Sequence, residues 1–183
     1  MLDYVVLYKS QTGNTKKIAT CIFSSLPGIS KDLLNIDNCT VIPEAATYFI
    51  GFCVHHGTCG LEISDILGDL SNKNIALFAT CALANCPAYY QKIEKSALIW
   101  LENDNHYLGS FFCQGKMPLK IRQKFEIMLS SMNCNETKLK KQLQNFDEAM
   151  IHPGQTDFDN AALFTQGCLA TITTYTNESL TAQ

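Results

Sequence analysis

The sequence has no long apolar run, no block of basic residues and no Cys-x-x-Cys pair, and each absence removes a class of protein. No stretch approaches the roughly 20 apolar residues that cross a bilayer, and Met1-Leu2-Asp3-Tyr4 enters a strand pattern without the basic and apolar regions of an export signal. The expectation is a soluble cytoplasmic chain with no membrane partner. A net charge of −3 with no Lys/Arg-rich block withholds the main source of affinity for nucleic acid, so no nucleic-acid partner is expected either. Histidine is scarce: four in all, two of them adjacent at His55 and His56, which confines histidine chemistry to that one place. The 9 cysteines are odd in number and sit in apolar runs such as Ile50-Gly51-Phe52-Cys53-Val54, a usage that fits reduced thiols rather than a disulfide framework.

What is present is a core-forming composition, 46% hydrophobic over 183 residues, enough for one domain without staples. Apolar runs of strand length alternate with segments of helical period, the signature of a parallel sheet covered on both faces. The predicted strands are Tyr4 to Tyr8, Asp32 to Ile36, Tyr48 to Val54, Ile75 to Thr80 and Leu108 to Cys113. Between them, apolar residues recur at three and four: Ile18, Cys21, Ile22 and Leu26; Ile63, Ile66, Leu67 and Leu70; Tyr90, Ile93, Ala97 and Leu101. Pro118 suits the first turn of a helix carrying Ile121, Phe125, Met128 and Met132, and a second helix carries Leu139, Leu143, Phe146 and Met150. Thr156 is placed as the N-cap of a last helix holding Phe158, Ala161 and Ala162. There is no repeat and no linker. The parse is one domain over 1–172, with 118–150 as an added helical pair and 173–183 as a frayed polar tail.

Directly after the first strand comes Ser10-Gln11-Thr12-Gly13-Asn14-Thr15 and then a helix, where backbone N–H groups and the helix dipole favour an anion. Three hydroxyls and an Asn can donate there, Gly13 permits close backbone approach, and a phosphate group is the predicted occupant. Lys16 and Lys17 follow the turn instead of ending it, so the loop is not a Walker loop, and it lacks the three spaced glycines of a dinucleotide fingerprint.

This stretch resembles the Ser/Thr-x-Thr-Gly-Asn-Thr phosphate loop of flavodoxins. The resemblance extends through Gly51-Phe52-x-Val54-x-x-Gly57-Thr58, Ala76-Leu77-Phe78 and Phe112-Cys113-Gln114-Gly115-Lys116-Met117-Pro118, covering roughly residues 3 to 170. It implies a doubly wound α/β sheet of order 2-1-3-4-5, FMN as cofactor, and electron transfer to a redox partner protein. It further implies phosphate contacts from Ser10, Thr12, Asn14 and Thr15 with backbone at Gln11 and Gly13. The ring would be gripped by Cys53, Val54, His55, His56, Gly57 and Thr58, by Thr80, Cys81, Ala82 and Leu83, and near Gln114 and Gly115. The His56-Gly57 peptide is the one it places near the flavin N5.

The chain departs from the pattern at Cys53, where a Trp is expected, and in the glycine-poor Ala79-Thr80-Cys81-Ala82-Leu83. Weaker FMN affinity than in a standard flavodoxin follows. The imidazoles of His55 or His56, or Tyr89 and Tyr90, are candidates to cover the ring, although the spacing of Tyr90 equally suits helix core. Lys116 can neutralise reduced flavin, contact a partner or face solvent. Other readings stay open: an FMN-dependent reductase with its own small substrate, a flavin-free interaction module, a metal site from Cys53, Cys59, Cys81 and Cys86 with a histidine, or a Cys81–Cys86 disulfide.

Overall fold

The computed structural model describes residues 1–83, 86–130 and 135–181, with side chains as far as residue 175. Five strands, β1 (Leu2–Tyr8), β2 (Lys31–Asn35), β3 (Ala45–Cys53), β4 (Asn74–Cys81) and β5 (His106–Gln114), form one parallel sheet in the order β2-β1-β3-β4-β5. The helices are α1 (Asn14–Ser25), α2 (Leu61–Asp69), α3 (Pro87–Leu98), α4 (Leu119–Leu129), α5 (Glu136–Ala149) and α6 (Gln155–Thr181). This is the doubly wound α/β fold and strand order that the resemblance implied. Each predicted strand is present, with ends displaced by up to three residues.

Alternation along β1 shows how the sheet buries both faces. Val5 and Leu7 join Ile50, Phe52, Ile63, Leu67, Leu77, Ile93 and Ala97 beneath α2 and α3. Val6 and Tyr8 join Ile18, Ile22, Phe49, Phe78, Ala161 and Cys168 beneath α1 and α6. Edge strand β2 is only half-buried throughout, as an edge must be. At the centre, a Cβ on Gly51 would sit 2.1 Å from the ring of Phe78, so glycine is what lets that ring lie flat against β3.

Two boundaries differ from expectation. Pro118 precedes α4 as its N-cap, with extended ψ of 137°, instead of lying within the first turn. The last helix begins at Gln155, one residue before Thr156, because the Asp157 carboxylate reaches back to accept the Gly154 N–H at 2.7 Å, which supplies the capping interaction. That helix also continues through residues 173–181, where a frayed tail was expected. Around the start of that stretch Thr171, Thr173 and Thr174 donate their hydroxyls to carbonyls four residues back. Met132, expected on the helix of Ile121 and Phe125, lies outside the described residues.

Candidate functional site

A cleft of about 420 Å³ opens at the carboxyl ends of the strands, lined by Gln11, Thr12 and Asn14, by Cys53, Val54 and His55, by Thr80, Cys81 and Ala82, and by residues 115–118, Lys120 and Ile121. It joins the β1–α1 loop to the loops after β3, β4 and β5, at the point where the strand order reverses. Four segments that are far apart in sequence therefore meet, and each had been singled out as a candidate.

The β1–α1 loop ends on Gly13, which caps α1 in the left-handed conformation (φ 82°) with no side-chain cap bond. The first N–H groups of α1 are thus left for an external acceptor. No acidic residue stands in the first turn of α1. Ser10 Oγ is buried without a partner, and Gln11 and Thr12 are exposed toward the cleft. Thr15 Oγ1 meets Thr80 Oγ1 at 2.9 Å, both residues fully buried. In such a pair one hydroxyl proton is spent between the partners and the other remains to donate.

Asn14, expected at a phosphate, also makes two contacts within the protein. Both of its amide protons are engaged, donated to Thr12 Oγ1 and to Lys116 O at 2.9 Å each. It clamps the β1–α1 loop to the β5–α4 turn. Gly115 makes room for that clamp, since a Cβ there would stand 2.7 Å from Asn14 Nδ2.

After β3, His55 and Thr58 exchange both backbone hydrogen bonds at 3.1 Å around His56 (φ 51°) and Gly57 (φ 81°). Two successive positive φ values are those of a tight type I′ turn. The rings of His55 and His56 lie 4.1 Å apart on the exposed rim. Ser96 Oγ on α3 approaches Thr58 Oγ1 at 3.4 Å. Val54 N–H is used by Thr80 O, which ties the β3 loop to β4.

The tyrosines are committed elsewhere. Tyr90 lies parallel to Phe112, centroids 5.2 Å apart, and its hydroxyl donates to Leu83 O at 3.1 Å. It holds the β4 loop down, and Tyr89 packs on the core beneath α2 and α3. Cys81 donates its thiol to Leu83 O, and burial pushes that thiol up to about 11. Burial also raises Cys53 and Cys59. Burial thus disfavours their thiolates, the forms that ligate metals and act as nucleophiles. The eight described cysteines are all free, Cys81 and Cys86 among them. Among the described residues no group of three or more His, Cys, Asp or Glu is placed to hold a metal ion.

Sequence reasoning missed the contribution of α5. Gln114 is buried, and its Nε2 donates to Ala82 O (2.9 Å) and Asn145 Oδ1 (3.2 Å), while Asn145 Nδ2 donates to the same Ala82 O (2.9 Å). One knot therefore joins β5, the β4 loop and α5. Met117, Pro118, Lys120 and Ile121 were likewise missed as cleft walls, although their position directly after Gly115 was the available signal.

The donor set suits a phosphorylated flavin: an uncapped helix start and an orphaned buried hydroxyl for the phosphate, and a largely apolar slot, with Lys116 and Lys120 on one wall, for a ring. Comparison with known proteins agrees. The chain is 32% identical over 171 residues to the flavodoxin-like domain-containing protein BilS of Clostridioides difficile (strain CD3), covering 90% of this chain and 95% of that one. Among solved structures, a short-chain flavodoxin associated with a non-canonical PDU bacterial microcompartment superposes with a TM-score of 0.54 at 13% identity, covering 93% of this chain and 99% of that chain. Rubredoxin oxygen:oxidoreductase of Desulfovibrio gigas gives 0.56 at 14% identity, covering 94% of this chain and 36% of the longer one. At such identities the two structures speak to the fold alone. The family model described as a flavodoxin domain matches residues 5–166. Strand order and sequence thus converge, and the chain belongs to the flavodoxin domain family.

Proposed function

We propose that this protein binds FMN non-covalently in the cleft and carries electrons to a partner protein. The observation that carries the reading is the β1–α1 loop: Gly13 leaves the first N–H groups of α1 uncapped beside the orphaned Ser10 hydroxyl, with Thr12 exposed to the cleft. When bound, FMN supplies reversible one- and two-electron transfer. The chain supplies the rest. Ser10, Thr12 and the Thr15–Thr80 pair donate to the phosphate, and Asn14 holds the loop in shape. Burial disfavours the thiolates of Cys53 and Cys81, which counts against either as a nucleophile. A carrier needs none.

The His56-Gly57 peptide is the adjustable element. Rotating the central peptide of a type I′ turn gives a type II′ turn, in which Gly57 changes the sign of φ freely while His56, at the first position where that turn favours glycine, carries strain. The turn can therefore present either an N–H or a carbonyl to the ring edge, donating to or accepting from a flavin nitrogen according to whether it carries a proton. The small Cys53 side chain, half-buried at this end, leaves the ring less covered than an indole would.

The test is an absorbance spectrum of purified protein after FMN is added and the excess removed, beside Thr12→Ala. Retained flavin bands that the variant loses support the reading. A native protein that cannot be loaded refutes it. Addition of NAD(P)H alone separates a carrier, which keeps its colour, from a reductase, which bleaches.

A further inference from the structure

Charge on this chain is segregated. Seven of its 14 Lys and Arg residues fall within 116–141, against two of its 17 acidic residues, so the remainder is strongly acidic. The basic stretch is the turn after β5, α4 and the first half of α5, and it forms one wall of the cleft: Lys116 and Lys120 line it. Lys120 and Lys124 are spaced by four and share a helix face. Among the described residues neither they nor Lys116 enters an ion pair, whereas Arg122 on the inner side is tied to Glu126 and Asp147. Ile127, one turn further on the same face, is 69% exposed, and Leu119, at the start of α4, is 63% exposed.

The other end of the cleft has the opposite sign. There His55 and Gln11 also border a hollow shared with Glu62, and Glu62, Asp65 and Asp69 of α2 line the neighbouring groove. Lys9, the cation at that end, is already paired with Asp37 and Glu62.

We propose that the α4 wall of the cleft is the docking surface for a redox protein whose own electron-transfer edge is apolar and ringed by acidic side chains. The inference rests on the FMN-carrier reading and names its partner's chemistry. Unpaired lysines around exposed Ile127 and Leu119 reproduce the anatomy of a transient interface, an apolar spot that desolvates within a charged rim that steers. Opposite charge at the two ends of the cleft turns the approaching partner so that its edge meets the cleft. The net charge of −3 alone would repel the same partner, and that conflict makes the idea testable.

The probe is hexacyanoferrate(III), a trivalent anion, mixed in stopped flow with the reduced FMN-loaded protein. Each two-electron-reduced flavin consumes two of these ions, which leave as hexacyanoferrate(II), while the flavin protons pass to the buffer. If the lysine wall governs approach, the rate falls about fivefold as ionic strength rises from about 10 to 200 mM, and Lys120→Gln with Lys124→Gln lowers the low-salt rate roughly fivefold. The same double variant raises the rate with cationic hexaammineruthenium(III). A rate with hexacyanoferrate that rises with salt, or that ignores the two substitutions, overturns the proposal.

Poly-L-glutamate titrated into ¹⁵N-labelled protein without flavin provides a second reading. Amide shifts confined to residues 116–127 support the docking surface, and shifts elsewhere, or none, refute it. Sedimentation at low salt that shows a dimer dissolved by salt would assign the wall to a second copy and also refute it. Failure to retain FMN would end the carrier reading alone, and the titration would still judge the surface.

Discussion

Gly115→Ala isolates the clamp between the phosphate loop and the turn after β5. The added Cβ would stand 2.7 Å from Asn14 Nδ2 and 3.1 Å from its Cβ and Cγ, closer than packed atoms allow, so the Asn14 side chain must move by several tenths of an ångström. Asn14 is 5% exposed and its amide holds two hydrogen bonds of 2.9 Å, to Thr12 Oγ1 and Lys116 O. A shift of that size lengthens both beyond useful range. Each bond contributes about 1 kcal/mol net, and Lys116 is exposed enough for water to replace part of the loss. The expected cost is therefore about 1–2 kcal/mol, which weakens FMN binding roughly 5- to 30-fold if the loop geometry is what the phosphate reads. Quenching of FMN fluorescence on titration measures it. The sharper check is a double-mutant cycle: in an Asn14→Ala background the 2.7 Å contact is gone and only the 3.1 Å approach to the remaining Cβ is left, so Gly115→Ala should cost much less. Equal cost in both backgrounds, or wild-type affinity in the single variant, would refute the reasoning.

Three other outcomes follow from the same geometry. Gly51→Ala should destabilise the fold by about 2–4 kcal/mol, because a Cβ 2.1 Å from the fully buried Phe78 ring cannot be accommodated without moving β3 or β4, and a urea titration reads the loss. Asn145→Ala should leave most of the stability intact yet accelerate amide exchange in the loop after β4, since Ala82 O loses one of its two side-chain donors. Alkali should weaken the protein before its lysines titrate. Cys81 has a folded value of about 11 against an ordinary 9.0, so its contribution is complete below pH 9 and is lost as pH rises toward 11, up to about 2–3 kcal/mol, and a urea midpoint that stays flat from pH 8 to 10.5 would contradict this.

The parts of this structure that could be read in advance are those encoded by neighbours in the chain. The phosphate loop is contiguous: a strand, a glycine that adopts φ 82°, and a helix start within one short segment. The five strands were legible for the same reason, as apolar runs of the right length, and their order came from the likeness of the loops. What escaped depends on partners far apart. Asn14 reads as a phosphate ligand, and its bond to Lys116, 102 residues on, had no signal in the sequence. Asn145 is one polar residue on a polar helix, and only its bonds to Ala82 O and Gln114, 63 and 31 residues away, give it a role. The spacing of Tyr90 could not say that its ring would lie on Phe112 and its hydroxyl on Leu83. The start of α6 turned on Asp157, three residues inside the helix, where the preceding-hydroxyl rule points to Thr156.

The seat of α1 has a further consequence for how the chain is made. Ala161 and Cys168 of α6 close the core over Ile18 and Ile22, with Phe158, Phe164 and Leu169 packed around them, and Cys21 donates its thiol to Phe158 O at 3.2 Å. During vectorial synthesis all five strands and α1 emerge before these residues exist. One side of the nascent sheet is therefore bare of its second helix until residue 169 has left the ribosome. The loop after β1, though encoded near the beginning, gains the backing of α6 only once nearly all of the chain has been made.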